Sequence, residues 1–386
     1  MNRGKRLLLY ALAGGALAAA LVFAAVLLLT RTDYGQERVR GYTVRWLADR
    51  VEGELRIGRL TSEGTILGAV TLHDFSLLDP GGRPFVRADS ARLRYDWRTL
   101  VSGAVVLDRV ELFGADIVIE RLPGWERWNY ERAIVGPEEE EREQPGPGTL
   151  VLLQELSLRD GHVVVRYPWE PKPGRPVQPA DTARLILERE DGALMRVMRF
   201  QDVQAELPRL LVESPDQEGR LFQFSSLAMR AWIWETPMEL QHLEGTLTMR
   251  DSLLAFEADR VRLPSSRASL LGEVTVGKED IRMDVRVVGD TVALRDLQWL
   301  YPGLPEEGGG SLVFRMQSQG NGNTLWYAER LDISTPGTNL AGSFGIVTGD
   351  TLYFTRVSLR AAPLDVALLE SLLPVELPVR GLLAGT

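Results

Sequence analysis

The chain of 386 residues has no cysteine, which removes disulfides, thiolate nucleophiles, CxxC redox centres and cysteine-held metals together. Lysine is nearly absent as well: Lys5, Lys172 and Lys278 stand alone among 44 basic residues, as a GC-rich genome would give. The three histidines, His73, His162 and His242, lie far apart, and none has a second histidine at metal-ligand spacing. Each reads as a surface or strand-edge residue. Basic charge is in deficit, 44 residues against 53 acidic ones for a net charge of -9, the wrong sign for neutralising nucleic-acid phosphates. There is no GxSxG elbow, P-loop, HExxH or dinucleotide fingerprint. Glu188 and Glu190 make a carboxylate pair, but charges on the wet face of a strand pair by chance. The expectation is a protein with no catalytic, cofactor or metal site.

What the chain does have is 45% hydrophobic residues, and their distribution is informative. Leu7 to Leu29 holds no charged residue and as a helix would reach ~34 Å, enough to cross a bilayer core. Arg3, Lys5 and Arg6 precede it and set the topology: residues 1–6 form a cytoplasmic tail, 7–29 a transmembrane helix, and the bulk is exported. A cleavable signal peptide is the alternative and exports the same bulk. Across 30–52, Val39, Tyr42, Trp46 and Leu47 recur at helical spacing. A juxtamembrane amphipathic helix either lies on the membrane or packs its stripe on the sheet that follows.

From Gly53 the period becomes two. Ala91 to Arg98 and Ile281 to Val287 alternate apolar and charged residues strictly, and similar patterns surround Val70, Leu107, Ala183 to Leu187, Leu247 and Val357. Such alternation means an antiparallel sheet with one wet face, unlike the continuous apolar runs of a parallel α/β sheet. Gly245, Gly272, Gly310 and Gly342 are expected to open strands. Val110–Leu112 followed by Ile117–Ile119 recurs 46 residues later as Leu156–Leu158 and Val163–Val165, a candidate internal repeat. Residues 136–148 form an acidic Pro/Gly loop between a β region at 53–135 and a longer one at 149–386. Short helices are expected near Leu294 to Leu300 and Leu364 to Leu373. Trp97, Trp232, Trp234, Trp299 and Trp326 either fill a core or line an apolar surface.

A single N-terminal span followed by Val51–Leu60, Leu67–Phe75 and Ala91–Trp97 resembles the opening of AsmA-like and TamB-like proteins. Val110–Arg121, Trp128–Tyr130 and Leu156–Val163 continue the likeness, which covers residues 1 to 165. The resemblance implies a single-pass protein of the bacterial inner membrane, N-terminus cytoplasmic and bulk periplasmic. It further implies a mainly β fold, an elongated and curled antiparallel sheet forming a β-groove, with a few short helices. Its implied partner is phospholipid moving toward the outer membrane; for the TamB branch it is the outer-membrane assembly machinery and its client proteins. An ordinary β-sandwich or solenoid stays open as a structural reading. Leu93, Tyr95, Trp97, Ile281, Met283, Val285 and Val287 are the candidate groove residues. The last residues, Gly381 to Thr386, read as the start of a strand in a chain that would continue.

Overall fold

The computed structural model describes residues 52–62, 69–95, 105–133, 151–171, 179–211, 220–250, 252–276, 281–319, 322–349, 353–366 and 381–385. The expected span at 7–29, its flanking residues Arg3, Lys5 and Arg6, the helix expected within 30–51, the acidic loop 136–148 and Trp97 lie outside them. Among the described residues no helix is long and apolar enough to cross a membrane. The fold is mainly β, with antiparallel pairing throughout, and divides into two units.

The first unit contains β1 (Glu54–Thr61), β2 (Ala69–Leu78), β3 (Pro84–Tyr95) and β4 (Val105–Glu120), paired in sequence order, with the last residue of β4, Glu120, already part of the second unit. Directly opposite residues share a face, so Leu60, Leu72, Ala91 and Leu112 form one apolar row and Val70, Leu93 and Val110 the next. Ile57, Leu60, Val70, Leu72 and Ala91 are buried there, with Leu55, Phe75, Leu93, Tyr95 and Leu112 packed against them. A short helix, α1 (Asn129–Ala133), is tied on by polar contacts. Buried Asn129 donates to the Val118 carbonyl at 2.6 Å, and Arg132 lies 3.6 Å from the fully buried Asp79 carboxylate. Asp79 also accepts from the Arg83 backbone N–H at 2.9 Å, so a buried charge is held by a cation and a hydrogen bond as burial requires.

The second unit begins with β5 (Val151–Pro168), a single helical turn α2 (Pro179–Thr182), β6 (Leu187–Glu190), β7 (Ala193–Leu207), β8 (Arg209–Leu211) and β9 (Arg220–Trp232). It continues through β10 (Met238–Arg250), β11 (Leu253–Arg262), β12 (Arg267–Val276) and β13 (Ile281–Ala293). After a 3-10 turn at Leu294–Leu297 come β14 (Gly309–Gln319), β15 (Asn323–Thr335), β16 (Thr338–Thr348), β17 (Tyr353–Asp365) and β18 (Leu382–Gly385). The ladder runs β5, β7, β9 and then consecutively to β18, with β6 beside the start of β7 and β8 beside β9. Among the described residues no pairing joins β18 back to β5, so this sheet is open.

The helix expected from Leu294 is the 3-10 turn, while at Leu364 the chain is still in β17 and residues 367–373 lie outside the described ones. Two further expectations differ from the structure. Ala183 to Ile186 form a turn, and strand begins only at Leu187, because Pro179 starts a helical turn that runs into them. Of the four glycines, only Gly310 stands near a strand start; Gly245, Gly272 and Gly342 lie inside β10, β12 and β16. They are there because the neighbouring strand comes too close for a side chain. A Cβ on Gly245 would collide with the Glu257 carbonyl oxygen, and one on Gly342, whose φ is +136°, with that of Ser358.

These close approaches fall along a line of bulges. On most strands the apolar alternation takes a three-residue step. In Leu72 to Phe75 of β2 and Leu112 to Ala115 of β4 the partner strands step with them and the register is unbroken. In Leu158 to Gly161 of β5, Phe200 to Val203 of β7 and Phe224 to Leu227 of β9 the register shifts. The step recurs from Ala258 to Val261, Gly289 to Val292, Ala328 to Leu331 and Phe354 to Val357. A left-handed residue sits within several of them: Asp74 (φ 52°), Gly114 (φ 58°), Asp160 (φ 52°), Asp202 (φ 53°) and Arg356 (φ 53°). A bulge inserts one residue, bends the strand and sharpens its twist. It also resets the side-chain phase, so both halves of the strand keep their apolar residues on one face. The 46-residue repeat is this unit seen twice, with Gly114 and Asp160 at matching positions.

Substituting Gly245 or Gly342 by valine forces the approach apart and is expected to cost about 2–4 kcal/mol, read as a lower urea midpoint. Gly82 has φ +77° but open space within 4 Å of the position a Cβ would take, so alanine there should cost only about 1 kcal/mol.

Candidate functional site

Three apolar rows cross the second unit on one face. The longest joins Leu158, Ala205, Leu227, Leu243, Val261, Ala268, Gly289, Leu312, Leu331, Gly342 and Leu359, each directly opposite the next on eleven strands. Beyond the bulges a second row runs through Phe224, Gly245, Ala258, Leu270, Val287, Phe314, Ala328 and, on β16, Phe344. A third joins Phe222, Leu247, Phe256, Gly272, Val285, Met316, Trp326, Ile346 and Phe354. No charged residue interrupts any of the three. The strands carrying them belong to one ladder, and most of the side chains remain half-buried, with Trp326 37% and Phe354 59% exposed.

The sequence candidates divide between the units. Met283, Val285 and Val287 lie on β13 within the apolar face, where Val285 opposes Gly272 and Met316. Ile281 begins the same strand opposite Val276. Leu93 and Tyr95 belong instead to the packed cluster of the first unit, where burial pushes the Tyr95 phenol above its ordinary pKa. They serve as core there, and Trp97 is outside the described residues. The pairing brings Phe256, Leu270, Phe314, Met316 and Trp326 beside the β13 candidates, residues the strict alternation of single strands did not single out.

The opposite face of the same strands is charged. A depression of about 640 Å³ is lined there by Thr246, Glu257, Glu273, Asp284, Arg286 and Arg315 among others. Its arginines are paired: Arg315 donates two bonds to the Asp284 carboxylate, at 2.9 and 2.6 Å, and Arg286 donates to Glu329 at 3.2 Å. At the other end of the sheet Arg166 bridges Glu120, Glu188 and Glu190, and Arg199 donates to Glu188 at 2.5 Å. Glu188 and Glu190 therefore act as ion-pair partners. His73 bonds the Thr61 hydroxyl at 2.9 Å and His242 that of Ser226 at 3.4 Å. Among the described residues no group of His, Asp and Glu could hold a metal ion.

Comparison with protein-family models, curated proteins and solved structures finds no match.

The two hydrogen bonds from Arg315, with its charge, hold the Asp284 carboxyl below the usual aspartate range. The contribution of this pair to stability is thus complete above that range and is lost as pH falls through the lowered folded value. Arg315→Met should move the Asp284 titration, followed by carboxyl NMR, upward toward the ordinary value, with the Gln317 hydrogen bond remaining, and narrow the acid range in which the sheet stays folded.

Proposed function

We propose that the protein is a lipid-transfer bridge, anchored in the bacterial inner membrane by Leu7–Leu29, that moves phospholipid toward the outer membrane along the apolar face of its second unit. The carrying observation is the set of three uninterrupted apolar rows, half-exposed, on an open sheet. Half-exposed aliphatic and aromatic side chains are stabilised by any apolar layer that removes them from water, at about 25 cal/mol per Å² or ~0.8 kcal/mol per buried CH₂. An acyl chain supplies that layer and leaves its polar headgroup in water. Rows that continue from strand to strand give the chain a path with no charged step to cross. The curl expected from the family resemblance would follow from the line of bulges, since a bulge bends its strand and sharpens its twist. On this reading the single N-terminal span lies in the inner membrane with its basic flank in the cytoplasm, and the sheet lies in the periplasm. The bridge needs no cofactor and no catalytic group.

One observation favours a second reading, an assembly factor for outer-membrane proteins. Among the described residues β18 pairs with β17 only between Ala361 and Asp365, while Tyr353, Phe354 and Val357 further along β17 are 47%, 59% and 56% exposed. A client strand adding to that edge would extend the sheet. Photocrosslinking from Thr355 to an unfolded outer-membrane client, competed by an unrelated soluble chain, would support this reading; absence of a specific adduct would remove it.

For the bridge, the full chain extracted in mild detergent should carry phospholipid detectable by mass spectrometry. Met283→Arg and Val285→Arg each place a charge on the apolar path and should lower bound lipid several-fold, because burying an unpaired cation is strongly unfavourable. Equal lipid in wild type and variants, or none in either, would count against the bridge.

A further inference from the structure

We propose that Arg184 and Arg196 form a headgroup site on the apolar face, holding the phosphate of a glycerophospholipid whose acyl chains lie along the adjoining rows. This rests on the lipid-transfer reading and adds the class of cargo. Arg196 lies on β7 directly opposite Tyr167 of β5 and Leu187 of β6. Two residues along, Met198 opposes Val165; two further, Phe200 opposes Val163 and Ala231. Ala231 alternates with Met229 and Leu227 on β9, so Arg196 shares the face of the long apolar row and stands at its margin.

Three loop and turn residues gather around it. The Arg196 guanidinium lies 5.0 Å from the Trp234 ring centre and 6.0 Å from that of Tyr167. The Arg184 guanidinium lies 5.4 Å from the same Trp234 ring and donates to the Trp299 carbonyl at 2.7 Å. Two cations thus share one indole, and among the described residues no carboxylate is in ion-pair contact with either. Two donors in the cluster are also buried without an acceptor: the Arg196 Nε–H and the Trp299 indole N–H. A buried donor without an acceptor is unfavourable, and an anion at this cluster would offset the two positive charges and supply acceptors for these donors.

The other face of these strands makes the contrast. Arg166 and Arg199 point away from Arg196's face and are each paired with glutamate. Arg166 and Arg199 thus have carboxylates, whereas Arg184 and Arg196 have none among the described residues. Guanidinium groups recognise phosphate oxygens through paired hydrogen bonds, and tryptophan is suited to a boundary with one apolar and one wet side. A lipid phosphate fits better than a free one because Met198 and Val165 begin the apolar path immediately beside Arg196.

The test uses the full chain in detergent, loaded with dioleoylphosphatidylglycerol or with dioleoylglycerol, which has the same acyl chains and no phosphate, and reads retained lipid by native mass spectrometry. Wild type should retain the phospholipid about tenfold over the diacylglycerol, the scale of one or two charge-assisted hydrogen bonds. The double variant R184Q/R196Q should retain both lipids at the diacylglycerol level, with unchanged diacylglycerol binding and far-UV circular dichroism as its folding control. R184Q alone, changing a turn residue, should lose about threefold of the preference, roughly half of that free energy, and decides the matter if the double variant does not fold. Undiminished preference in folded variants overturns the headgroup site while leaving the bridge intact. Retention of neither lipid by wild type overturns the bridge itself. Quenching of tryptophan fluorescence by inorganic phosphate alone, abolished in R184Q, overturns the lipid assignment in favour of a free-anion site.

Discussion

The second unit depends on one constraint: a strand shows alternate side chains to opposite faces, so any bend that changes the residue count also swaps the faces. The chain solves this by placing the swap in the sequence. Wherever a bulge inserts a residue, the apolar spacing lengthens from two to three, as from Gly289 to Val292 in β13 and from Ala328 to Leu331 in β15. The bend and the reset of phase are one event. Without the reset, half of every bulged strand would turn its apolar residues to the charged side, and no row could cross from β5 to β17. Gly245 and Gly342 are needed for the same reason, since the bulged neighbours come within contact of their backbone.

Once phase is kept, each row stays on one face, and charge gathers on the other, which also carries buried apolar side chains such as Leu325 and Val347. On β13 the residues Met283, Val285 and Val287 look one way, and Asp284 and Arg286 the other. Several charges of that face are paired within it: Asp284 finds Arg315, Arg286 finds Glu329 and Arg166 finds three glutamates. Exposed pairs of this kind add little stability individually. Their value here is that they keep the charged side soluble and without demand for a ligand, although that side holds the depression of about 640 Å³. Concavity alone would point to the wrong face.

Much of this was legible in the sequence and some was not. Strict alternation in Ile281–Val287 and Ala91–Tyr95 identified antiparallel strands and assigned their two faces, because period two is a local property. The three-residue steps were also present in the letters. They read as interruptions of a pattern, since nothing local distinguishes a bulge from the end of a strand. For the same reason the mid-strand glycines looked like strand starts. Which apolar residues are core and which are surface depends on pairing: Leu93 and Met283 sit in similar alternating runs, yet Leu93 packs into the buried cluster of the first unit and Met283 belongs to the long face of the second. Trp234 and Trp299 stood out in the sequence as tryptophans, but their grouping with Arg184 and Arg196 did not, because the members come from separate turns and strands as much as 115 residues apart.

An uncovered apolar face is an unfavourable thing for a sheet to keep, and the two units treat it differently. The first closes its rows into a buried cluster around Leu60, Leu72 and Ala91 and fastens a helix beside it through Asn129 and Arg132. The second extends its rows over eleven strands and leaves Trp326 and Phe354 in water. If those rows were core, the same device of a covering helix or sheet would be expected along them, and the polar groups at their margin would be matched within the chain. Instead the margin holds arginines stacked on an indole, with no carboxylate in ion-pair contact among the described residues, and the Arg196 Nε–H is buried without an acceptor there. Half-exposed apolar rows and, among the described residues, arginines without a carboxylate at their margin are the two features that the proposed cargo, with an acyl chain and an anionic head, would match.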